Sequence, residues 1–266
     1  MTTSSKGTAV VTGASAGIGA KYVQHLAERG YDIIMVARNR ERMTALANRL
    51  AAETDRKFEI VEADLSAAAD VRRVADILRT NASITMLVNN AGVGAVTPLL
   101  DSNAATMESM IDINITALTR LTMAVAPAFV ARGAGTIVNI ASIVAIAPEM
   151  LNGVYGGTKA FVLAYSQSLR HELAGKGVRV QAVLPGATST EFWELAGTSV
   201  DALPSGITMT ADNLVKSALA GLDQGEFVTI PSLPDAADWK TYDDARNAMT
   251  PNLSREKPAA RYGITA

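Results

Sequence analysis

Short apolar runs alternate with longer amphipathic stretches over most of this chain. Seven runs, Thr8 to Thr12, Asp32 to Ala37, Phe58 to Ala63, Thr85 to Asn89, Thr136 to Ile140, Arg179 to Leu184 and Phe227 to Ile230, predict strands. They are near-continuously apolar rather than alternating, the pattern of strands covered by helices on both faces of a parallel sheet. Between them, helices are predicted over Gly17 to Arg29, Arg40 to Thr54, Ser66 to Arg79, Ala104 to Arg132, Val154 to Ala174 and Thr210 to Gln224. Strand and helix in turn imply a doubly wound α/β domain. Gly30 and Gly175 stand where helix ends need a left-handed residue, and Ser66 where a side-chain oxygen can cap the next helix. No repeat or low-complexity linker divides the chain, so one domain over residues 1–266 is expected. Two regions escape the alternation: a lid over about residues 187–212, and a polar tail over about 232–266. The tail, with Trp239, Tyr242 and Arg261-Tyr262, could wrap a neighbouring subunit or cover the lid.

Apolar residues make up 48% of the 266, enough for a large core. The 24 basic and 26 acidic residues give no electrostatic reason to approach nucleic acid or an anionic membrane. Zero cysteines exclude disulfides and thiolate metal sites, and no metal site is expected. The polar start from Met1 to Lys6 lacks the apolar stretch of a secretion signal, and apolar stretches such as Leu121 to Ala131, with Pro127 inside, are too short to span a bilayer. A cytoplasmic enzyme without a membrane span is the expectation.

The first strand runs into Thr12-Gly13-Ala14-Ser15-Ala16-Gly17-Ile18-Gly19, which opens a helix. Glycines let the backbone turn sharply and approach a pyrophosphate, which free N–H groups and the helix dipole then hold. A glycine turn needed only for packing is the other reading. At the end of the second strand, where an acid would favour NAD, stands Ala37-Arg38-Asn39-Arg40, while Asp32 lies at the wrong end. NADP(H) is therefore the expected cofactor, with Arg38 as the main partner of its 2′-phosphate and Ser15 a weaker one, unless Arg38 and Arg40 are only solvated charges. Asp64-Leu65 ends the third strand and Asn89-Asn90-Ala91-Gly92 the fourth, both on the ligand edge of such a sheet. Asp64 could bond the adenine or only cap a helix. The Asn89-Asn90-Ala91-Gly92 turn could line the cofactor, or Asn89 or Asn90 could only brace the sheet, a role at least as fitting for Asn89.

Tyr155 and Lys159 stand four apart near the start of a predicted helix, so one face carries both. A packed ring beside a solvated charge is the usual meaning of that spacing. Carbonyl reduction, however, needs a proton on oxygen, and a cation beside a Tyr hydroxyl eases its exchange near neutrality. Ser142, after the fifth strand, could donate to the substrate oxygen or merely begin a turn. Asn114, inside an apolar helix, could kink it or relay water to Lys159. Pro185-Gly186 ends the sixth strand and could shape a nicotinamide pocket with Thr188 or Thr190 nearby. Ile143, Met150, Leu151, Phe192 and Trp193 are either a pocket wall or core and interface. His25 and His171 lie in helical stretches and read as surface or packing residues.

The order of these motifs resembles the short-chain dehydrogenase/reductase family: Thr12-Gly13-x-x-x-Gly17-x-Gly19, Asn89-Asn90-Ala91-Gly92, Asn114, Ser142, Tyr155-x-x-x-Lys159 and Pro185-Gly186, over roughly residues 7–230. The resemblance implies a seven-stranded Rossmann-type parallel sheet of order 3-2-1-4-5-6-7 and homodimers or homotetramers. It implies Tyr155 as acid and base, Lys159 on the ribose and lowering the Tyr155 pKa, Ser142 orienting the carbonyl and Asn114 in a proton relay. The expected substrate is a small carbonyl compound or alcohol. A redox-silent dinucleotide sensor on the same fold is the alternative, and the presence of all four catalytic positions argues against it.

Overall fold

The structure is a computed structural model that describes residues 6–264; the polar start up to Ser5 lies outside the described residues. In chain order the elements are β1 (Thr8–Thr12), α1 (Gly17–Glu28), β2 (Asp32–Ala37), α2 (Arg40–Thr54), β3 (Phe58–Glu62), α3 (Ala68–Thr80) and β4 (Ile84–Asn89). Then follow α4 (Ala104–Ile111), α5 (Leu118–Arg132), β5 (Gly135–Ile140), α6 (Gly153–Leu173), β6 (Val178–Val183), β7 (Thr188–Ser189), α7 (Phe192–Ala196), β8 (Met209–Thr210), α8 (Ala211–Gln224) and β9 (Val228–Thr229).

Seven of the strands form one parallel sheet in the order β3-β2-β1-β4-β5-β6-β9. The expected order holds; the last strand is ninth because β7 and β8 pair with each other within residues 187–212, outside the main sheet. The chain reverses direction across the sheet between β1 and β4, and that switch point opens a crevice at the carboxyl ends of the strands. Apolar residues fill both faces. Val11, Met35 and Val88 pack with Tyr22, Leu26 and Leu219 on one side, whereas Val10, Ile34 and Leu87 pack with Leu78, Leu121 and Phe129 on the other. Neighbouring strand positions point to opposite faces, so two covered faces require an unbroken apolar run.

Three local expectations need correction. Helix α3 starts at Ala68 behind Ala67, which gives no side-chain cap, and Ser66 instead donates from N and Oγ to Asp64 Oδ1 at 2.9 and 2.8 Å. The predicted helix over 104–132 is interrupted by a π-helical turn, Asp112–Ala117, where the side chain of Asn114 reaches out to the backbone of Val93. As one run, Ala104–Arg132 is also long and apolar enough to cross a membrane by length and composition, contrary to the sequence expectation. Leu118, Leu121, Val125 and Phe129 on it are buried against the sheet, which makes it a core helix here. Gly30 and Gly175 do take left-handed conformations, with φ of 94° and 73°.

The chain divides into two compact units, one ending at Pro231 and one starting at Ser232, where the sequence suggested a single domain. The second unit is built on α9 (Ala236–Ala248), and none of its described residues is buried, so it has no core of its own.

Candidate active site

Gly13 turns the chain off β1 with φ 67°, and a Cβ there would stand 2.7 Å from Asn90 Nδ2. At Gly19 a Cβ would fall 2.1 Å from the Gly13 carbonyl oxygen, so neither position admits a side chain. Ala16 at the N-cap of α1 offers no side-chain acceptor, and the first turn holds no acid. Its free N–H groups and positive dipole end are thus left for an external anion, with Ser15, Gly17 and Ile18 around them. These features fit a dinucleotide pyrophosphate. Thr12, which opens the glycine motif but had no role of its own in the sequence, locks this turn to β4. Its Oγ1 accepts from Asn90 N at 2.9 Å and Ala91 N at 3.0 Å, while Asn90 Nδ2 donates to the Thr12 carbonyl at 2.8 Å. The Asn90 side chain therefore braces the turn. Asn89 donates to Thr122 and Asn139 at 3.0 and 2.9 Å, which is the bracing role.

At the end of β2, Ala37 is buried and Arg38 exposed, and no acid stands at residues 37–40. Asp32 sits at the opposite end, accepting from Lys57 N at 3.0 Å. Asp64 accepts both bonds from Ser66, and these, with a smaller pull from Arg38, hold its carboxyl below the usual range. Leu65 beside it is buried. A contact absent from the sequence reading crosses the crevice: Arg42 Nη1, at the start of α2, donates to both Glu191 carboxylate oxygens at 3.0 and 2.7 Å. Next to Glu191, the Thr190 methyl lies 3.1 Å from where a Gly17 Cβ would be. The segment between β7 and α7 thus lies across the glycine turn.

Tyr155, Lys159, Ser142 and Asn114 are all buried at the carboxyl edge of β4 and β5. Asn152 fixes the start of α6 by accepting from Val154 N and Tyr155 N, and its amide donates to the Thr97 carbonyl at 2.5 Å and to Ser102 Oγ at 3.2 Å. Lys159 Nζ donates to the Ile140 carbonyl at 2.9 Å and stands 5.9 Å from the centre of the Tyr155 ring. A Cβ on Gly92 would meet Asn114 Oδ1 at 3.1 Å and Lys159 Nζ at 3.4 Å, so these two groups converge on one spot. Asn114 accepts from Val93 N at 3.0 Å and donates to the Val93 carbonyl and Thr158 Oγ1 at 2.9 and 3.0 Å. Both its N–H groups are spent, and its oxygen keeps a lone pair. Ser142 begins a helical turn, where its Oγ accepts from Val144 N at 3.3 Å and donates to the Pro185 carbonyl at 3.4 Å.

Burial pushes the Tyr155 hydroxyl up to about 12, only partly offset by Ser142, and pushes the Lys159 ammonium down to about 8. Desolvation dominates both groups, and Lys159 Nζ is held on the Ile140 carbonyl. The apolar candidates separate. Phe192 lies 5.7 Å from the Tyr155 ring and covers Gly94, and Leu151 packs into the same cluster. Trp193 is buried under Phe192 and donates to the Thr188 carbonyl at 3.0 Å, and Thr188 in turn donates to the Gly186 carbonyl at 3.0 Å. Pro185 offers its carbonyl to Ile143 N at 3.0 Å, joining this segment to the turn that carries Ser142. His25 is held by Glu28 and Asp212, which ties α1 to α8.

A family model described as short chain dehydrogenase matches residues 7–200. A solved short-chain dehydrogenase from Sphingobium yanoikuyae in complex with NADPH is 47% identical, with TM-score 0.92 over 95% of this chain and 98% of that one. A bulky-bulky ketone specific alcohol dehydrogenase from Comamonas testosteroni is 43% identical, with TM-score 0.89 over 96% and 98% of the two chains. The serine 3-dehydrogenase of Agrobacterium fabrum is 34% identical over 235 residues, 85% of this chain and 92% of its own.

Proposed function

Because the chain belongs to the short-chain dehydrogenase/reductase family of oxidoreductases, we propose that it interconverts a ketone and its secondary alcohol with NADP(H), using Tyr155 as acid and base. The observation that carries this reading is the convergence of Lys159 and Asn114 beside Gly92, with the Tyr155 ring 5.9 Å from Lys159 Nζ and Ser142 buried with them. When bound, the reduced cofactor supplies the hydride. Gly13, Ser15, Gly17, Ile18 and Gly19 would hold its pyrophosphate, and Arg38 its 2′-phosphate. Asp64, Leu65, Asn90, Ala91 and Gly92 would line the adenosine and ribose side. Pro185, Gly186, Thr188 and Thr190 would line the nicotinamide side, and Lys159 would reach the ribose.

Ser142 would donate to the substrate oxygen and hold it against Tyr155. With its pKa pushed up, the Tyr155 hydroxyl is protonated near neutrality and gives that proton as negative charge develops on the oxygen. Lys159, pushed down to about 8, exchanges a proton easily near neutrality, and the free lone pair of Asn114 Oδ1 beside it can accept along a path to solvent. The names of the Sphingobium and Comamonas proteins support NADPH and a ketone, whereas the Agrobacterium relative is named for serine; the family alone does not choose the substrate.

The test follows NADPH oxidation at 340 nm against a panel of ketones and aldehydes. Tyr155→Phe is expected to lower kcat at least about 100-fold, the contribution of a positioned general acid. Full turnover by that variant would refute the mechanism. NADPH binding without turnover of any carbonyl would favour the sensor.

A further inference from the structure

Three segments reach the sheet edge around Tyr155: residues 93–112 after β4, 141–152 after β5 and 185–210 after β6. Although the chain holds 24 Lys and Arg and 2 His, none stands on any of the three. Of their acids, Glu191 pairs with Arg42, whereas Asp101, Glu108, Asp112, Glu149, Glu194 and Asp201 are exposed and no ion pair among the described residues answers them. The same segments turn large apolar side chains to solvent: Leu99 is 80% exposed, Leu100 95%, Met150 58%, Leu195 73% and Ile207 54%.

Contacts of neighbouring residues tie the segments that carry the first four of these side chains to the surroundings of Tyr155. Asn152, three residues before Tyr155, holds Thr97 and Ser102 on either side of Leu99 and Leu100. Val96 N donates to the Ala196 carbonyl at 3.2 Å and so joins that loop to α7, where Leu195 is one turn from Phe192. Pro148, two residues before Met150, would meet a Cβ on Gly156 at 2.9 Å, beside Tyr155. Lys159 within the site is buried and bonded to Ile140, and Arg42, which reaches the third segment, is taken up by Glu191.

We propose that this mouth selects an uncharged ketone, or its alcohol, with apolar groups beside the carbonyl, and rejects carboxylates, sulfonates and phosphates. The proposal rests on the reductase reading above. An anion laid on this rim loses hydration, finds no cation in return and faces unpaired carboxylates. A neutral apolar substrate instead covers leucine and methionine surface that is otherwise wet.

The experiment measures kcat/KM with NADPH for 4-methylacetophenone and for 4-acetylbenzoate, which differ chiefly in a charge remote from the carbonyl. The neutral ketone is expected to be favoured at least about 100-fold, mostly through KM, since an uncompensated charge is costly to desolvate. Glu194→Lys supplies the missing cation on an exposed position and is expected to narrow the gap at least about fivefold, more at low salt than at high. Equal use of the two ketones, or a gap that Glu194→Lys leaves unchanged at low salt, overturns the charge selection. If no carbonyl of the panel is reduced at all, the reductase reading falls and takes this proposal with it.

Discussion

Burial fixes the charge state of the residues on which the proposed chemistry turns. Tyr155, raised to about 12, is a phenol throughout the neutral range, ready to give a proton and poor at taking one until positive charge arrives nearby. Lys159, lowered to about 8, is charged below that pH and loses its charge as pH rises through it. The kcat/KM for ketone reduction is therefore expected to be level up to about pH 8 and to fall above it, read from initial rates. A profile still level at about pH 10 would contradict a role for the Lys159 charge. At the other end of the crevice, Arg38→Ala is expected to weaken NADPH binding about 10- to 100-fold, the worth of a charge-assisted bond, and to leave NADH within about threefold. Equal losses for the two cofactors in a fluorescence titration would count against the assignment. Tyr155, Lys159, Ser142 and Asn114 could be named from the sequence by their order along the strand ends, not by spacing alone. The bracing roles of Thr12 and Asn152 could not, because their partners Asn90 and Thr97 lie far along the chain and no local pattern marks such pairs.

The same division between local and distant signals holds for whole elements. The seven strands of the main sheet and most helices followed from apolar periodicity, and their bounds shifted by only one or two residues, whereas β7 and β8 did not follow. What periodicity could not show was the π turn in the helix over 104–132, since Asn114 leaves the regular ladder to bond a loop that folds back from β4. Nor could it show the path of the lid. Its position depends on Thr190 settling against Gly17 and on the ion pair between Glu191 and Arg42, 149 residues apart. An ion pair this exposed is weak, so its effect on cofactor release should be small but measurable. Glu191→Gln is expected to speed release of NADH about two- to fivefold, in stopped-flow displacement at low salt, and less as salt is raised. NADH is the better probe because it lacks a 2′-phosphate that could recapture the freed Arg42. An unchanged release rate would mean that the lid is held by Phe192 and Trp193 alone.

At the scale of the molecule, the crevice exists because the sheet is packed on both faces and so holds the carboxyl ends of β1, β4 and β5 in one row. Phe129 is the clearest single support of one face. It is fully buried among Leu87, Leu121 and Ile137, and its ring fills the space where a Cβ on Gly135 would stand, at 2.2 Å. The ring thus sets how closely α5 approaches the start of β5, the strand that leads to Ser142. Phe129→Ala removes the ring and leaves a cavity between helix and sheet, at a cost of about 3–5 kcal/mol. For a chain of this size that corresponds to a fall in Tm of roughly 6–20 °C. The site lies at the far end of β5, so the folded variant should keep its KM while losing thermal stability. Calorimetry and initial rates below the transition separate the two. A Tm within about 2 °C of the parent would show that the face can close over the gap, and that Phe129 is not the support its packing indicates.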